Sequence, residues 1–213
     1  MKCRKETMRL YAVTDRAWTG EQSLMEQTKD ALKGGVTCVQ LREKELDAAD
    51  FLKEAVEMKR LCGSYGIPLI VNDNVEIAVK CGADGIHVGQ EDMEAGNVRA
   101  LVGDEMMIGV SVQTVEQAAA AQEAGADYLG VGAVFATATK RDASEVSCET
   151  LKKICEAVSI PVVAIGGISK KNMQELSGSG ADGAALVSAI FSAEDIEKEC
   201  RELRRLADQT FSE

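Results

Sequence analysis

Only two prolines and one histidine occur in the 213 residues, and aromatic side chains make up 4%. No tract rich in proline, glycine or serine interrupts the chain, which excludes an extended linker between domains. With 46% hydrophobic and 28% charged residues the chain also lacks the composition of a disordered one. No apolar run approaches the roughly 20 residues that a membrane span needs. The first residues, Met1-Lys2-Cys3-Arg4-Lys5-Glu6, are basic but lead into no apolar segment, so no signal peptide is expected. Basic charge is short as well. Lys plus Arg number 24 against 35 Asp plus Glu, a net charge of −11, which leaves no basic face for nucleic acid. The seven cysteines include no Cys-x-x-Cys pair. Their odd number and irregular spacing read as reduced thiols, mostly small core residues of a cytoplasmic protein, with a zinc site as the alternative.

What the chain does have is short apolar runs at regular intervals. They are Leu10–Thr14, Cys38–Leu41, Leu69–Val71, Ile86–Val88, Met107–Val110, Tyr128–Val131, Val162–Ile165 and Ala184–Val187. Near-continuous runs of this kind fit strands buried on both faces of a parallel sheet. Pro68 and Pro161 each open such a run, a place where a strand tolerates proline. Segments of helical period lie between them, such as Val115, Ala118, Ala119, Gln122 and Ala126. An internal repeat sharpens the pattern. Gly82-Ala83-Asp84, Gly125-Ala126-Asp127 and Gly180-Ala181-Asp182 each close a helix and lead into a strand, and Gly34-Gly35-Val36 does the same near the start. Repeated units of this type predict an α/β fold, a single-domain (β/α)8 TIM barrel over residues 1–213, with Asp195–Gln209 as its last helix.

In such a barrel, ligands meet the C-terminal ends of the strands. Those ends are polar or glycine-rich here. Gln40, Arg42 and Lys44 alternate, so all three would point one way if the strand continued; a phosphate grip or a salt-bridged strand end both fit. Asp73 and Asp92 follow neighbouring strands, and either carboxylate could ligate Mg²⁺ or cap a helix. Gly166-Gly167 and Val187-Ser188 stand where barrels commonly hold a phosphate, although a tight turn without ligand fits too. His87 lies in an apolar strand, where a hydrogen-bonded core residue is the commoner reading than a catalyst. Without it no Ser/His/Asp set can be assembled, since Ser111 has no obvious base.

Taken together the motifs resemble thiamine-phosphate synthase. They run from Leu10-Tyr11-Ala12-Val13-Thr14-Asp15 through Gln40-Leu41-Arg42-Glu43-Lys44, Val71-Asn72-Asp73-Asn74 and Gly82–Asp92. They continue through Gly109-Val110-Ser111, Gly130-Val131-Gly132, Thr137-Ala138-Thr139-Lys140, Gly166-Gly167-Ile168 and Ser188-Ala189-Ile190. The resemblance implies a (β/α)8 barrel. Its reaction joins 4-amino-2-methyl-5-hydroxymethylpyrimidine diphosphate to 4-methyl-5-(2-hydroxyethyl)thiazole phosphate, with Mg²⁺, giving thiamine phosphate and pyrophosphate. By position, Gln40, Leu41, Arg42, Glu43, Lys44, Asn72, Ser111 and Lys140 would hold the pyrimidine diphosphate, with Arg42, Lys44, Ser111 and Lys140 as the catalytic residues. Asp73 and Asp92 would hold Mg²⁺. Thr137, Ala138, Thr139, Gly167, Val187 and Ser188 would hold the thiazole phosphate. The family usually has proline where this chain has Ala133 and Ala136. Two other functions are weighed: a thiazole tautomerase, which carries a histidine at the place of Ala133, and a non-catalytic phosphate-binding barrel. No partner beyond small molecules is implied.

Overall fold

A computed structural model of the chain describes residues 3–89, 95–136 and 145–212. Eight parallel strands close into a barrel in chain order. They are β1 (Leu10–Val13), β2 (Cys38–Leu41), β3 (Leu69–Asn72), β4 (Gly85–Val88), β5 (Met107–Val112), β6 (Tyr128–Gly132), β7 (Val162–Ile165) and β8 (Gly183–Leu186). Each apolar run of the sequence is one strand, with ends shifted by at most two residues. The helices are α1 (Leu24–Lys33), α2 (Ala48–Ser64), α3 (Val75–Cys81), α4 (Ala95–Val102), α5 (Val115–Glu123), α6 (Cys148–Ala157), α7 (Ser188–Phe191) and α8 (Ile196–Thr210).

Side chains alternate along each strand and separate two cores. One set, including Leu10, Ala12, Val39, Leu41, Val71, Ile86, Ile108 and Leu129, packs with helix residues such as Phe51, Met58 and Leu203. The other set fills the barrel itself: Tyr11, Val13, Cys38, Ile70, Met107, Tyr128, Val163 and Ala185. Gln40, Asn72, His87 and Ser111 have this inward parity and sit one or two steps nearer the strands' C-terminal ends.

The two rims are built differently. At the N-terminal rim, glycines in left-handed conformation end α3 and follow α5 (Gly82 at φ 67°, Gly125 at φ 92°). The aspartate two residues on then accepts a main-chain N–H from the preceding strand. Asp84 accepts from Leu69 at 2.8 Å, Asp127 from Ile108 at 2.8 Å and Asp182 from Val162 at 2.9 Å. Thr37 takes the same part for Leu10, at 2.9 Å. Each aspartate also meets a cation: Lys59, Arg99 and Lys5 respectively. The repeat is thus a clamp that joins alternate strand pairs. At the opposite rim the strands leave into loops that end in helix caps, namely Ser23, Asp47, Asn74, Thr114, Ser147 and Asp195.

Two sequence expectations change. Gly180 follows a 3₁₀ turn (Met173–Leu176), not an α-helix, because the run Ser177-Gly178-Ser179-Gly180 propagates a helix poorly. In α5 the buried residues are Ala118 and Ala121; Ala119 and Gln122 are half exposed, and the Gln122 amide oxygen accepts the N–H of Ser159 at 2.7 Å. All seven cysteines are free thiols. Burial pushes Cys62 and Cys200 up to about 12, which keeps them protonated and inert.

Asp127→Ala is expected to cost stability without disturbing the opposite rim. It removes a charged acceptor from a strand N–H, worth about 1.5–3 kcal/mol, or roughly 3–12 °C in a thermal melt. Glu149→Ala breaks an exposed ion pair to Lys153 instead and should move the melt by less than roughly 2 °C. Equal shifts for the two would mean that the clamp contributes no stability of its own.

Candidate active site

The mouth is assembled from the strand ends in order. After β1, the Thr14 hydroxyl accepts the N–H of Arg42 at 3.0 Å, which fixes where the β2 chain leaves the barrel. β2 ends at Leu41, so the alternation does not carry through to Lys44. The reason is Glu43. Its carboxylate accepts the N–H groups of Lys44 at 2.7 Å and Glu45 at 2.8 Å, folding the chain into a turn. Arg16 holds the same carboxylate at 2.9 Å and bridges it to Glu54. Burial alone would raise the Glu43 carboxyl; the two N–H groups and the guanidinium hold it below its ordinary value. Glu43 is therefore the anchor of this loop, and it also lines the cavity that Lys44 borders. Leu41 is wholly buried against the helices. The Arg42 guanidinium stands 3.6 Å from Asp15, a long pairing at a half-buried position.

Lys44, Asn72 and Asp73 line one cavity of about 800 Å³, bordered by Phe51 and Leu101. The Asn72 amide donates to the Asp73 carboxylate at 2.6 Å. Asp73 has φ 61°, a left-handed backbone that a non-glycine residue holds only under constraint. Its N–H donates to the His87 carbonyl at 2.8 Å, and the next N–H, of Asn74, turns back to the Asn72 carbonyl at 2.7 Å. The capping alternative for Asp73 falls here. Asn74 caps α3, its side chain accepting from Ile77 at 2.9 Å. The Asp73 carboxylate lines the cavity at the mouth.

The floor of the mouth is polar and buried. The Gln40 amide donates to the Tyr11 hydroxyl at 2.9 Å, and Tyr11 and Tyr128 meet at 2.8 Å. Tyr128 lies 3.0 Å from His87 Nδ1, and His87 Nε2 lies 2.9 Å from Ser111 Oγ. Burial pushes both phenols well above their ordinary value, so they stay protonated. Glycine makes the room. A Cβ on Gly109 would fall 2.1 Å from the Tyr128 ring and 2.5 Å from His87 Nδ1, and one on Gly130 3.1 Å from the His87 ring. The reading of His87 as a hydrogen-bonded core residue agrees with this setting. Tyr11 and Tyr128 were not singled out by the sequence reading. The available signal was their inward parity, since a buried tyrosine hydroxyl needs a partner.

On the far side, Gly166 and Gly167 take φ 100° and 65°. A Cβ on Gly166 would meet that of Ala133 at 2.5 Å, and one on Gly167 would meet the Ala136 carbonyl at 2.5 Å. The loop after β6 thus lies directly on this glycine pair, tied by Phe135 N–H to the Gly166 carbonyl at 3.1 Å. The Gly167 carbonyl accepts from the Asn172 amide at 2.9 Å. Val187 and Ser188 open α7, whose first N–H groups have no helical partner. Asp92, Thr137, Ala138, Thr139 and Lys140 lie outside the described residues. Among the described residues, the structure brings Gln40, Arg42, Lys44, Asn72, Asp73 and Ser111 to the ends of β2, β3 and β5, and Gly167, Val187 and Ser188 to those of β7 and β8.

Residues 10–190 match the family model described as thiamine monophosphate synthase. Thiamine-phosphate synthase of Clostridium tetani is 48% identical over 194 residues, covering 91% of this chain and 93% of that protein. Its counterpart in Albidiferax ferrireducens is 45% identical over 206 residues, covering 96% and 94%. Among solved structures, thiamine phosphate pyrophosphorylase from Pyrococcus furiosus superposes with a TM-score of 0.90 at 38% identity, covering 97% of this chain and 98% of that one.

Proposed function

The chain belongs to the thiamine monophosphate synthase family, and from that premise we propose that its one barrel domain joins a pyrimidine diphosphate to a thiazole phosphate at this mouth. The substrates are those of the family: 4-amino-2-methyl-5-hydroxymethylpyrimidine diphosphate and 4-methyl-5-(2-hydroxyethyl)thiazole phosphate. The products are thiamine phosphate and pyrophosphate. The observation that carries this reading is the sorting of groups around one rim. Lys44, Asn72 and Asp73 line one cavity over the ends of β2 and β3, Arg42 follows β2 beside Asp15, the glycine pair follows β7, opposite β3, and α7 starts after β8.

Arg42, Lys44 and Lys140 would bind the diphosphate, Arg42 in bidentate fashion and the lysines as point charges. Gln40, Asn72 and Ser111 would orient the pyrimidine. Gly167, Val187 and Ser188, with Thr137, Ala138 and Thr139, would take the thiazole phosphate on main-chain N–H groups, where glycine permits close approach. Asp73, with Asp92, supplies the hard oxygen donors that Mg²⁺ prefers. Among the described residues no cluster of three ligating side chains occurs, and two carboxylates completed by substrate oxygens need none. When bound, Mg²⁺ would offset the negative charge that develops on the departing pyrophosphate.

We read the reaction as dissociative. The bond from the pyrimidine methylene to oxygen breaks first, and the cation is stabilised by the ring amino group. The thiazole nitrogen then attacks. That nitrogen has no proton to lose, so the step calls for leaving-group stabilisation and positioning, not for a base. Both nitrogens of His87 are already hydrogen-bonded to protein, which suits this chemistry. Hence His87→Gln is expected to cost no more than about tenfold in single-turnover rate, some 1.4 kcal/mol. A general base would be worth about 10²–10⁴. A loss beyond a hundredfold, with a pKa near 6.5 vanishing from the pH profile, would show that a base takes part.

The test of the function as a whole is direct. Both substrates are mixed with the protein and Mg²⁺, and thiamine phosphate and pyrophosphate are looked for. Formation of both in equal amounts is expected; absence of product would overturn the assignment.

A further inference from the structure

The polar floor has a direction. Consider its protons in turn. Tyr11 and Tyr128 are almost completely buried, so neither hydroxyl can turn to solvent. Tyr11 accepts from the Gln40 amide, and its own proton goes to Tyr128, 2.8 Å away. Tyr128 must then give its proton to His87 Nδ1. A histidine that accepts at Nδ1 carries its proton at Nε2 when neutral. That proton goes to Ser111 Oγ. Ser111, having accepted from His87, keeps its own proton to give to another partner. Reversal of the Gln40 amide would reverse every step: Tyr11 would donate to Gln40, His87 would carry its proton at Nδ1, and Ser111 would donate inward. Two orders exist, and they differ in what Ser111 presents to the mouth.

We propose that Tyr11, Tyr128 and His87 are positioning residues whose ordered hydrogen bonds fix the Ser111 hydroxyl as a donor to the pyrimidine substrate. This rests on the reading above that Ser111 touches that substrate. The chain crosses the barrel from β2 to β5, so Gln40 and Ser111, on opposite sides of one ligand, are set by the same series of protons. Low dielectric makes such a chain mutually reinforcing and costly to leave half-satisfied. Gly109 and Gly130 belong to the device, because any side chain there would displace Tyr128 or His87.

His87 is the only histidine, so its two ring nitrogens can be followed without assignment by ¹⁵N-histidine labelling and long-range ¹H–¹⁵N correlation. The expected result without substrate is a bare Nδ1 and a protonated Nε2. A proton on Nδ1 overturns the proposal, whether or not any activity is seen. The second readout is kinetic. Tyr128→Phe keeps the ring and removes the link, and should lower kcat/KM for the pyrimidine diphosphate roughly 3- to 10-fold, the range of one neutral hydrogen bond. In a Ser111→Ala background the same change should matter less than twofold, because the link then leads nowhere. Equal factors in both backgrounds overturn the positioning role and leave Tyr128 a packing residue. If Ser111→Ala alone leaves kcat/KM unchanged, the contact between Ser111 and substrate fails, and the proposal with it. The nitrogen spectrum then still reports the order of the chain. If wild-type protein makes no thiamine phosphate, the function fails and the spectrum is unaffected.

Discussion

Asp73→Ala is expected to slow thiamine phosphate formation on the order of 10²–10³-fold, the usual loss for one electrostatic stabiliser of a developing charge. At φ 61° Asp73 sits in a conformation that costs on the order of 1–3 kcal/mol, and the chain tolerates it. Its N–H reaches across to β4, and its neighbour Asn74 does the capping. Its carboxylate accepts from the Asn72 amide and lines the cavity at the mouth. Asp73→Asn separates charge from conformation, because asparagine enters the left-handed region readily and keeps the shape. It should lose nearly as much rate as alanine while melting at or above the wild-type temperature. Chelating the metal should abolish turnover in the wild type and leave the circular dichroism spectrum unchanged, since no group of three ligating side chains occurs among the described residues. Near wild-type turnover in Asp73→Asn would remove the carboxylate from the metal site.

The barrel was legible because its signal is repeated. Eight apolar runs and a Gly-Ala-Asp repeat each carry the same instruction, so an error at one unit does not mislead. What the repeat did not reveal is why aspartate follows the glycine. The strand N–H groups that Asp84, Asp127 and Asp182 accept lie 15 to 20 residues earlier in the chain, beyond any local pattern. The mouth was legible to the extent that it follows inward parity, as Gln40, Asn72 and Ser111 do. It failed where a side chain bends the chain away from the strand. Nothing in the spacing of Gln40, Arg42 and Lys44 says that Glu43 will fold the segment at Leu41, because the partner that holds Glu43 is Arg16, 27 residues away. The tyrosine floor was missed for a simpler reason. In an apolar run Tyr128 counts as hydrophobic, and only the closed barrel shows that its hydroxyl must find Tyr11 and His87.

Arg42→Ala is expected to lower kcat/KM for the pyrimidine diphosphate roughly 10- to 150-fold, equivalent to about 1.5–3 kcal/mol for a charged hydrogen bond. The chain carries a net charge of −11, so a substrate diphosphate approaches against the overall field and depends on local cations. Arg42 is held for this purpose at its main chain, by Thr14, and not at its guanidinium. The Asp15 carboxylate at 3.6 Å is too distant for a close pair, so the side chain can exchange that partner for a diphosphate at little cost. The loss should fall on the pyrimidine substrate, with the KM for the thiazole phosphate moved less than twofold, because the glycine pair follows β7 and α7 follows β8, with β1 standing between them and Arg42 at the end of β2. Arg42→Lys should recover only part of the activity, since a point charge cannot reproduce a bidentate grip. Arg42→Ala and Arg42→Lys assayed side by side, with each substrate varied in turn, give the answer. Equal losses toward both substrates would mean that Arg42 supports the loop and does not grip the diphosphate.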